Sequence, residues 1–442
     1  MYWIYSGVMA FALVVTLPYW FLQMRRNGKY REGLLERLGK VSRRLSRSSQ
    51  PSIWVHAVSV GEVLAVDDLV EGLKAAFPEH RLVMSTTTAT GQRLARKRLG
   101  AENVFYFPLD FTFAIRNYLR VLRPELVVIA ETEFWPNFLR LAHGAGARVV
   151  VANARISDRS WPGYCRMKFI LRRVLRNVQL FLAQTEEDAR RLRDIGAPAE
   201  RIHVAGNLKF DTTLPAASAI VASLRSALQR AQSGPVLVCG STVDNEERLL
   251  IRGFENVRAS HPRAVMILAP RHPERFEEVA GLLQQLGIRF WKRSLWSGEP
   301  LSGGVLLVDT IGELASLYAL ADVAFVGGSL VPRGGHNILE PAQHGVPIIV
   351  GNHTENFRDV VNLFRSRDAV RIVGPAELPL VLLELLANDE ERKALGHRAV
   401  ETVQSQKGAT EKTLHFLKDL LAENAQLPQA ESAGQPLPTR AG

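Results

Sequence analysis

Val326–Gly351 reads VGGSLVPRGGHNILEPAQHGVPIIVG, and its pattern sets the fold class. An apolar run, Val323–Val326, meets the tight pair Gly327-Gly328. A second pair, Gly334-Gly335, opens a helix expected to begin near His336-Asn337, with Glu340 in its first turn. Another apolar run, Val346–Val350, follows Gly345. Strand, glycine-rich loop, helix and strand make one unit of a parallel sheet with a ligand-facing loop. Glycine lets the backbone approach a ligand closely, and unpaired N–H groups at a helix start attract phosphate. A carboxylate such as Glu340 can accept from ribose hydroxyls. The stretch points to a nucleotide, although glycine pairs alone also fit plain tight turns. Its spacing is neither a dinucleotide fingerprint nor a Walker A loop, so hydride transfer and ATP hydrolysis are not indicated.

Outward from this stretch the same alternation continues. PVLVCG, AVMILAP, VLLVDT, VAFVGG and PIIVG read as strands of one series, with helical patterns between them. An earlier series comprises SIWVHAV, RLVMSTTT, ELVVIAE, ARVVVANA, LFLAQ and HVAGN, with a helix expected from Gly61-Glu62 to about Ala76. Two such series predict two doubly wound α/β domains facing a cleft, at residues 51–212 and 234–423, joined by a linker at 213–233. Residues 424–442, rich in Ala, Pro and Gln, read as a disordered tail. Ligands of open parallel sheets bind beyond the carboxyl ends of the strands. That rule singles out the loops at 59–62, 86–91, 131–137, 153–159 and Lys209, then 240–247, 270–275, 310–313 and 327–340.

The 442 residues carry a net charge of +11, which calls for an acidic partner. Two cysteines far apart, Cys165 and Cys239, argue against a structural disulfide. Tyr2–Gln23 has no charged side chain and is about long enough to cross a bilayer, with aromatic residues at both ends. Arg25, Arg26, Lys29, Arg31, Arg37, Lys40, Arg43, Arg44 and Arg47 follow it. Charge on this side predicts a membrane anchor at 1–23, a basic segment at 24–50 that touches anionic lipid, and a cytoplasmic remainder. Each Lys or Arg near anionic lipid contributes on the order of 1 kcal/mol. The order of charge and apolar core is wrong for a cleaved signal peptide. Pro18 leaves open whether the helix spans the bilayer or lies in its interface.

Six motifs stand in one order: VHAVSVGE (Val55–Glu62), ETEFWPN (Glu131–Asn137), NARISDRS (Asn153–Ser160), GNLKFD (Gly206–Asp211), APRHPERF (Ala269–Phe276) and GGSLVPRGGHNILEP (Gly327–Pro341). The series resembles the 3-deoxy-D-manno-octulosonic acid (Kdo) transferases of lipopolysaccharide assembly, over nearly the whole chain. The resemblance implies an inverting, metal-independent GT-B glycosyltransferase. Such an enzyme moves Kdo from CMP-Kdo to the tetra-acylated lipid A precursor at the cytoplasmic face of the inner membrane. CMP-Kdo is then a substrate, no cofactor is expected, and anionic lipid rather than nucleic acid is the acidic partner.

Carried over residue by residue, the resemblance makes Glu62 the general base. By position alone Glu62 also reads as a first-turn glutamate favoured by the helix dipole. Glu131 and Lys209 fall on positions that stabilise the transition state, and they also fit a structural ion pair. The resemblance puts CMP on Pro270 and Arg271, on Ile311, Gly312 and Glu313, and on Asn337, Ile338, Leu339 and Glu340. Arg271 suits phosphate. Arg155 and Arg159 suit either the acceptor's phosphates or a solvated basic rim. Ser241 and Thr242 read as helix N-caps, His272 and His336 as loop hydrogen-bonders, and Trp135 as packing. The family often has His where this chain has Val243, which therefore receives no catalytic part. Three other readings compete: a GT-B enzyme with another nucleotide sugar and lipid acceptor, an inert membrane-bound scaffold, and nucleic-acid binding from charge alone. No nucleic-acid motif supports the last.

Overall fold

The computed structural model describes residues 1–27, 32–47, 50–214 and 219–425. Lys29 and Arg31 of the basic run, and the tail from residue 426, lie outside the described residues. The chain divides into two units, Met1–Thr212 together with the segment from Lys407, and Thr213–Gln406.

The first unit holds β1 (Ser52–His56), β2 (Arg81–Thr86), β3 (Val104–Tyr106), β4 (Pro124–Ala130), β5 (Arg148–Ala154), β6 (Leu180–Ala183) and β7 (Ile202–Val204), all parallel, in the order β3-β2-β1-β4-β5-β6-β7. Helices cover both faces, so the central strands are apolar throughout rather than alternating; all five residues of β1 are buried. Trp54 of β1 is fully buried among the rings of Phe105, Phe107, Tyr118 and Phe138. Its indole N–H donates to Ser85 Oγ at 2.7 Å, which satisfies the one polar atom of that side chain. The stretch after β1 forms two helices, Val60–Ala65 and Asp67–Ala76, broken at Val66, where a single helix to Ala76 was expected.

The second unit holds β8 (Val236–Thr242), β9 (Val265–Pro270), β10 (Phe290–Lys292), β11 (Val305–Leu307), β12 (Val323–Val326), β13 (Ile348–Gly351) and β14 (Arg371–Val373), again all parallel, ordered β10-β11-β9-β8-β12-β13-β14. In each sheet the strand order reverses at one central place, and in the second sheet β11 also lies between β9 and β10. That place is between β1 and β4 in the first unit and between β8 and β12 in the second, where the loops leave in opposite directions and open a crevice.

The helix Ala409–Ala425, expected to belong to the second domain, packs instead on the first unit. Ala409 and Leu417 join that unit's core, and a Cβ on Gly72 would lie 2.3 Å from Leu414. The Asp211 carboxylate accepts from the N–H groups of Gly408 at 2.8 Å and Thr410 at 2.5 Å, so the start of this returning helix is tied to the GNLKFD motif.

Candidate active site

In the first unit the loops after β1 and β4 leave the sheet at its turning point, and they carry Glu62 and Glu131. Glu62 stands in the first turn of Val60–Ala65. One carboxylate oxygen accepts from the Val58 N–H at 2.7 Å and the other from the Ser59 hydroxyl at 3.0 Å. Burial pushes the carboxyl up to about 7; the Val58 N–H pulls it back, and the Glu131 carboxylate adds to the rise. A group fixed in orientation and poised near neutrality is suited to taking a proton.

Glu131 directly follows β4 with φ of 57°, a left-handed conformation that costs a non-glycine residue free energy. Its N–H is held by the Ala152 carbonyl at 2.9 Å, and its carboxylate accepts from Lys209 Nζ at 3.0 Å. Both side chains are partly exposed, 25% for Glu131 and 20% for Lys209, so the pair borders solvent. Lys209 is positioned from below by Asn153, whose own φ is 54°. Asn153 Oδ1 accepts from the Leu208 N–H at 3.1 Å, and Asn207 Oδ1 accepts from the Lys209 N–H at 3.0 Å. Glu133 is a third carboxyl in the group, pushed up by burial and then by Glu131. Arg155 is half-buried, with its backbone paired to the Thr132 hydroxyl, while Arg159 is exposed. Trp135 packs against the aromatic core 5.9 Å from Phe107, as a packing residue should.

In the second unit the loop after β12 is held in shape from below. Glu246, fully buried, accepts from four backbone N–H groups: Val243 at 3.1 Å, Gly328 at 2.6 Å, and Ser329 and Leu330 at 2.8 Å each. Burial raises its carboxyl and these four donors oppose the rise. Two glycines are required by space. A Cβ on Gly327 would sit 2.6 Å from the Ser241 carbonyl, and one on Gly328, at φ 72°, would meet the His336 ring at 2.5 Å. His336 Nδ1 pairs with the Gly327 carbonyl at 2.8 Å, and burial lowers its pKa, so the ring is neutral and serves the loop.

The helix of the opening stretch begins at Leu339 rather than at His336-Asn337, because residues 334 and 335 both have positive φ. Asn337 therefore makes a turn: its side-chain oxygen accepts from the Leu339 N–H at 3.1 Å, and its amide donates to Glu340 at 3.3 Å. Burial pushes the Glu340 carboxyl up, and the nearby exposed Arg271 opposes this. Arg271 leaves β9 directly after Pro270, and its N–H is fixed by the Thr242 carbonyl at 2.9 Å. Pro270 is buried, as are Ile338 and Leu339, so these three shape the backbone and only their main chain is available to a ligand. On a separate loop Ile311 is 80% exposed and Gly312 has φ of 91°. Glu313 is braced by Arg293 at 2.8 Å and by the Thr310 hydroxyl.

Ser241 and Thr242 are not helix caps. They end β8, the following helix begins at Glu246 behind Asn245, and the Thr242 hydroxyl donates to Glu247 at 3.0 Å. His272 is exposed in the loop beside Arg271, and Val243 is buried. Sequence reasoning passed over Glu133, Asn153 and Glu246. The first two stood inside quoted motifs, and Glu246 in the acidic pair after GSTVDN; the signal available was a carboxylate or amide next to a ligand loop. Among the described residues no three His, Cys, Asp or Glu side chains gather as a metal site.

Comparison with known proteins bears on the family and the fold. The family pattern described as 3-Deoxy-D-manno-octulosonic-acid transferase (kdotransferase) matches residues 32–212. Over 425 residues the chain is 33% identical to a 3-deoxy-D-manno-octulosonic acid transferase of Haemophilus influenzae, covering 95% of this chain and 99% of that protein. Over 437 residues it is 36% identical to the enzyme of the same description from Bordetella pertussis, covering 94% and 99%. A solved UDP-GlcNAc 2-epimerase from Neisseria meningitidis, bound to UDP-GlcNAc, overlays 84% of this chain and all of its own with a TM-score of 0.55. At 13% identity that likeness concerns the fold alone.

Proposed function

Since this chain belongs to the 3-deoxy-D-manno-octulosonic acid transferases, glycosyltransferases of the GT-B kind, we propose that it moves Kdo from CMP-Kdo to the tetra-acylated lipid A precursor, with inversion and without a metal, at the cytoplasmic face of the inner membrane. The observation that carries the reading is Glu62: a carboxylate fixed by two donors at the sheet's turning point, with a pKa pushed up to about 7.

In the proposed step Glu62 takes the proton of an acceptor hydroxyl while that oxygen bonds the anomeric carbon of Kdo. The bond from the anomeric carbon to the phosphate oxygen breaks on the opposite face, and CMP leaves with the electron pair. Lys209 balances the Kdo carboxylate, and Glu131 holds the ammonium in place. In the second unit Arg271 and the main-chain N–H groups around Asn337–Leu339 take the phosphate. The helix there has only five residues, so individual N–H groups and the guanidinium matter more than a helix dipole. Glu340 accepts from the ribose. The braced Glu313, with Ile311 and Gly312, flanks the base and presents backbone to it.

The test is Glu62→Gln. Transfer should be lost while CMP binding, followed by calorimetry, stays unchanged; near-normal turnover would show that another group is the base.

A further inference from the structure

The helix Tyr2–Asn27 is apolar enough to cross a membrane, yet its start is bonded to the first unit. Asn137 Nδ2 donates to Ser6 Oγ at 3.0 Å, and Asn177 Nδ2 donates to the Tyr2 hydroxyl at 3.3 Å. The Arg140 guanidinium lies 4.6 Å from the centre of the Tyr2 ring, and Tyr5 hydrogen-bonds Asp110. Tyr2, Tyr5, Ser6, Met9 and Leu13 are all partly buried, and their spacing puts them on one face. Trp3, Ile4, Phe11 and Val14 occupy the opposite face, at 90%, 73%, 71% and 68% exposure.

A spanning helix cannot keep these contacts. Twenty-six residues extend about 39 Å, more than the roughly 30 Å hydrocarbon core, so crossing would carry Tyr2 to the far side from the unit that binds it. The other end is also close: Glu32, which pairs with Arg96 at 3.4 Å, follows Asn27 by five residues, a reach of at most about 18 Å.

We propose that Tyr2–Asn27 is an in-plane anchor, lying flat in the cytoplasmic leaflet with both ends on the side of the catalytic unit and its outward apolar face in the lipid. The occupant of that face is an anionic bilayer surface, and charge complementarity argues for it. Asn177, which holds Tyr2, also bonds the Arg173 and Val174 carbonyls at the end of the helix Lys168–Leu175. That helix presents exposed Lys168, Arg172 and Arg173 beside Phe169, which is 85% exposed. Phe113, 59% exposed and stacked on Phe111, adds an aromatic edge next to Asp110. Basic and aromatic side chains thus border the apolar face, as an interfacial helix requires.

The inference rests on the membrane location proposed above, and the test separates the two. A single cysteine is placed before Met1 in the full chain carrying Cys165→Ser, and spheroplasts are treated with a membrane-impermeant maleimide. Recovery of the protein in the membrane fraction tests the location; a soluble protein would overturn location and anchor together. With the protein in the membrane, the in-plane anchor predicts no labelling in intact spheroplasts and full labelling once they are opened. Labelling in intact spheroplasts would establish a spanning helix and overturn the proposal. As a second reading, Ser6→Cys with Asn137→Cys should form an internal disulfide on oxidation in native membranes. Failure to form it, with both thiols reactive after solubilisation, would also overturn the docked arrangement.

Discussion

Replacing Glu246 with glutamine should unhinge the glycine-rich loop of the second unit. The carboxylate accepts from Ser329 and Leu330 through one oxygen and from Gly328 and Val243 through the other. An amide keeps one oxygen and presents an N–H₂ group to the other two donors. Each buried donor left without an acceptor costs about 1–3 kcal/mol. Removing a buried charge, whose carboxyl is already pushed up by burial, offsets part of that cost. A net loss of about 2–4 kcal/mol follows, or roughly 5–15 °C in the melting of a unit of this size. Glu246→Gln should lower the transition of the second unit in a calorimetric scan, weaken CMP binding by loosening residues 327–335, and leave the first unit's transition in place. A loss under about 1 kcal/mol with CMP affinity intact would refute the idea that this carboxylate shapes the nucleotide loop.

Other outcomes follow from the first unit. Because Glu62 has a folded pKa raised from 4.5 to about 7, its folded form binds the proton more tightly than the unfolded chain. Its contribution to stability is present below about 4.5 and lost as pH rises through about 7. Glu62→Gln should therefore stabilise the protein at pH 8, by on the order of 1–3 kcal/mol in chemical unfolding, while the acid limb of kcat/KM near pH 7 disappears with the activity. Lys209→Met and Glu131→Gln should each slow transfer, and the double variant should be little worse than Lys209→Met alone; additive losses in steady-state kinetics would mean that the two act separately. Asp211→Ala removes both acceptor bonds at the start of Ala409–Ala425 and should cost about 1–2 kcal/mol, seen as faster hydrogen exchange confined to that helix.

Most of the sheet was readable because buried parallel strands are long apolar runs, and every run quoted from the sequence lies on a strand. The strands that went unread, β3, β10 and β14, have three residues each, and all three end their sheets beside a single neighbour. So short a run has no period to detect. The helix Ala409–Ala425 could not be placed because amphipathic spacing says that a face is buried and not against what; the tie is Asp211, almost two hundred residues earlier. Glu62, Glu131 and Lys209 stood out through motif resemblance, whereas the residues that brace the ligand loops of each unit did not. Asn153 works by a left-handed backbone and Glu246 by burial under a loop, and neither property is written in residue type. The false caps, Ser241 and Thr242, arose because a strand running into a helix-rich stretch hides a short turn at residues 243–245.

The central claim is the reaction itself. Detergent-solubilised protein should be incubated with enzymatically generated CMP-Kdo and the tetra-acylated lipid A precursor, without added metal, and the lipid read by mass spectrometry. A product heavier by one or more whole Kdo units is expected, absent with Glu62→Gln. An unchanged lipid mass, with a known Kdo transferase active in the same mixture, would contradict it.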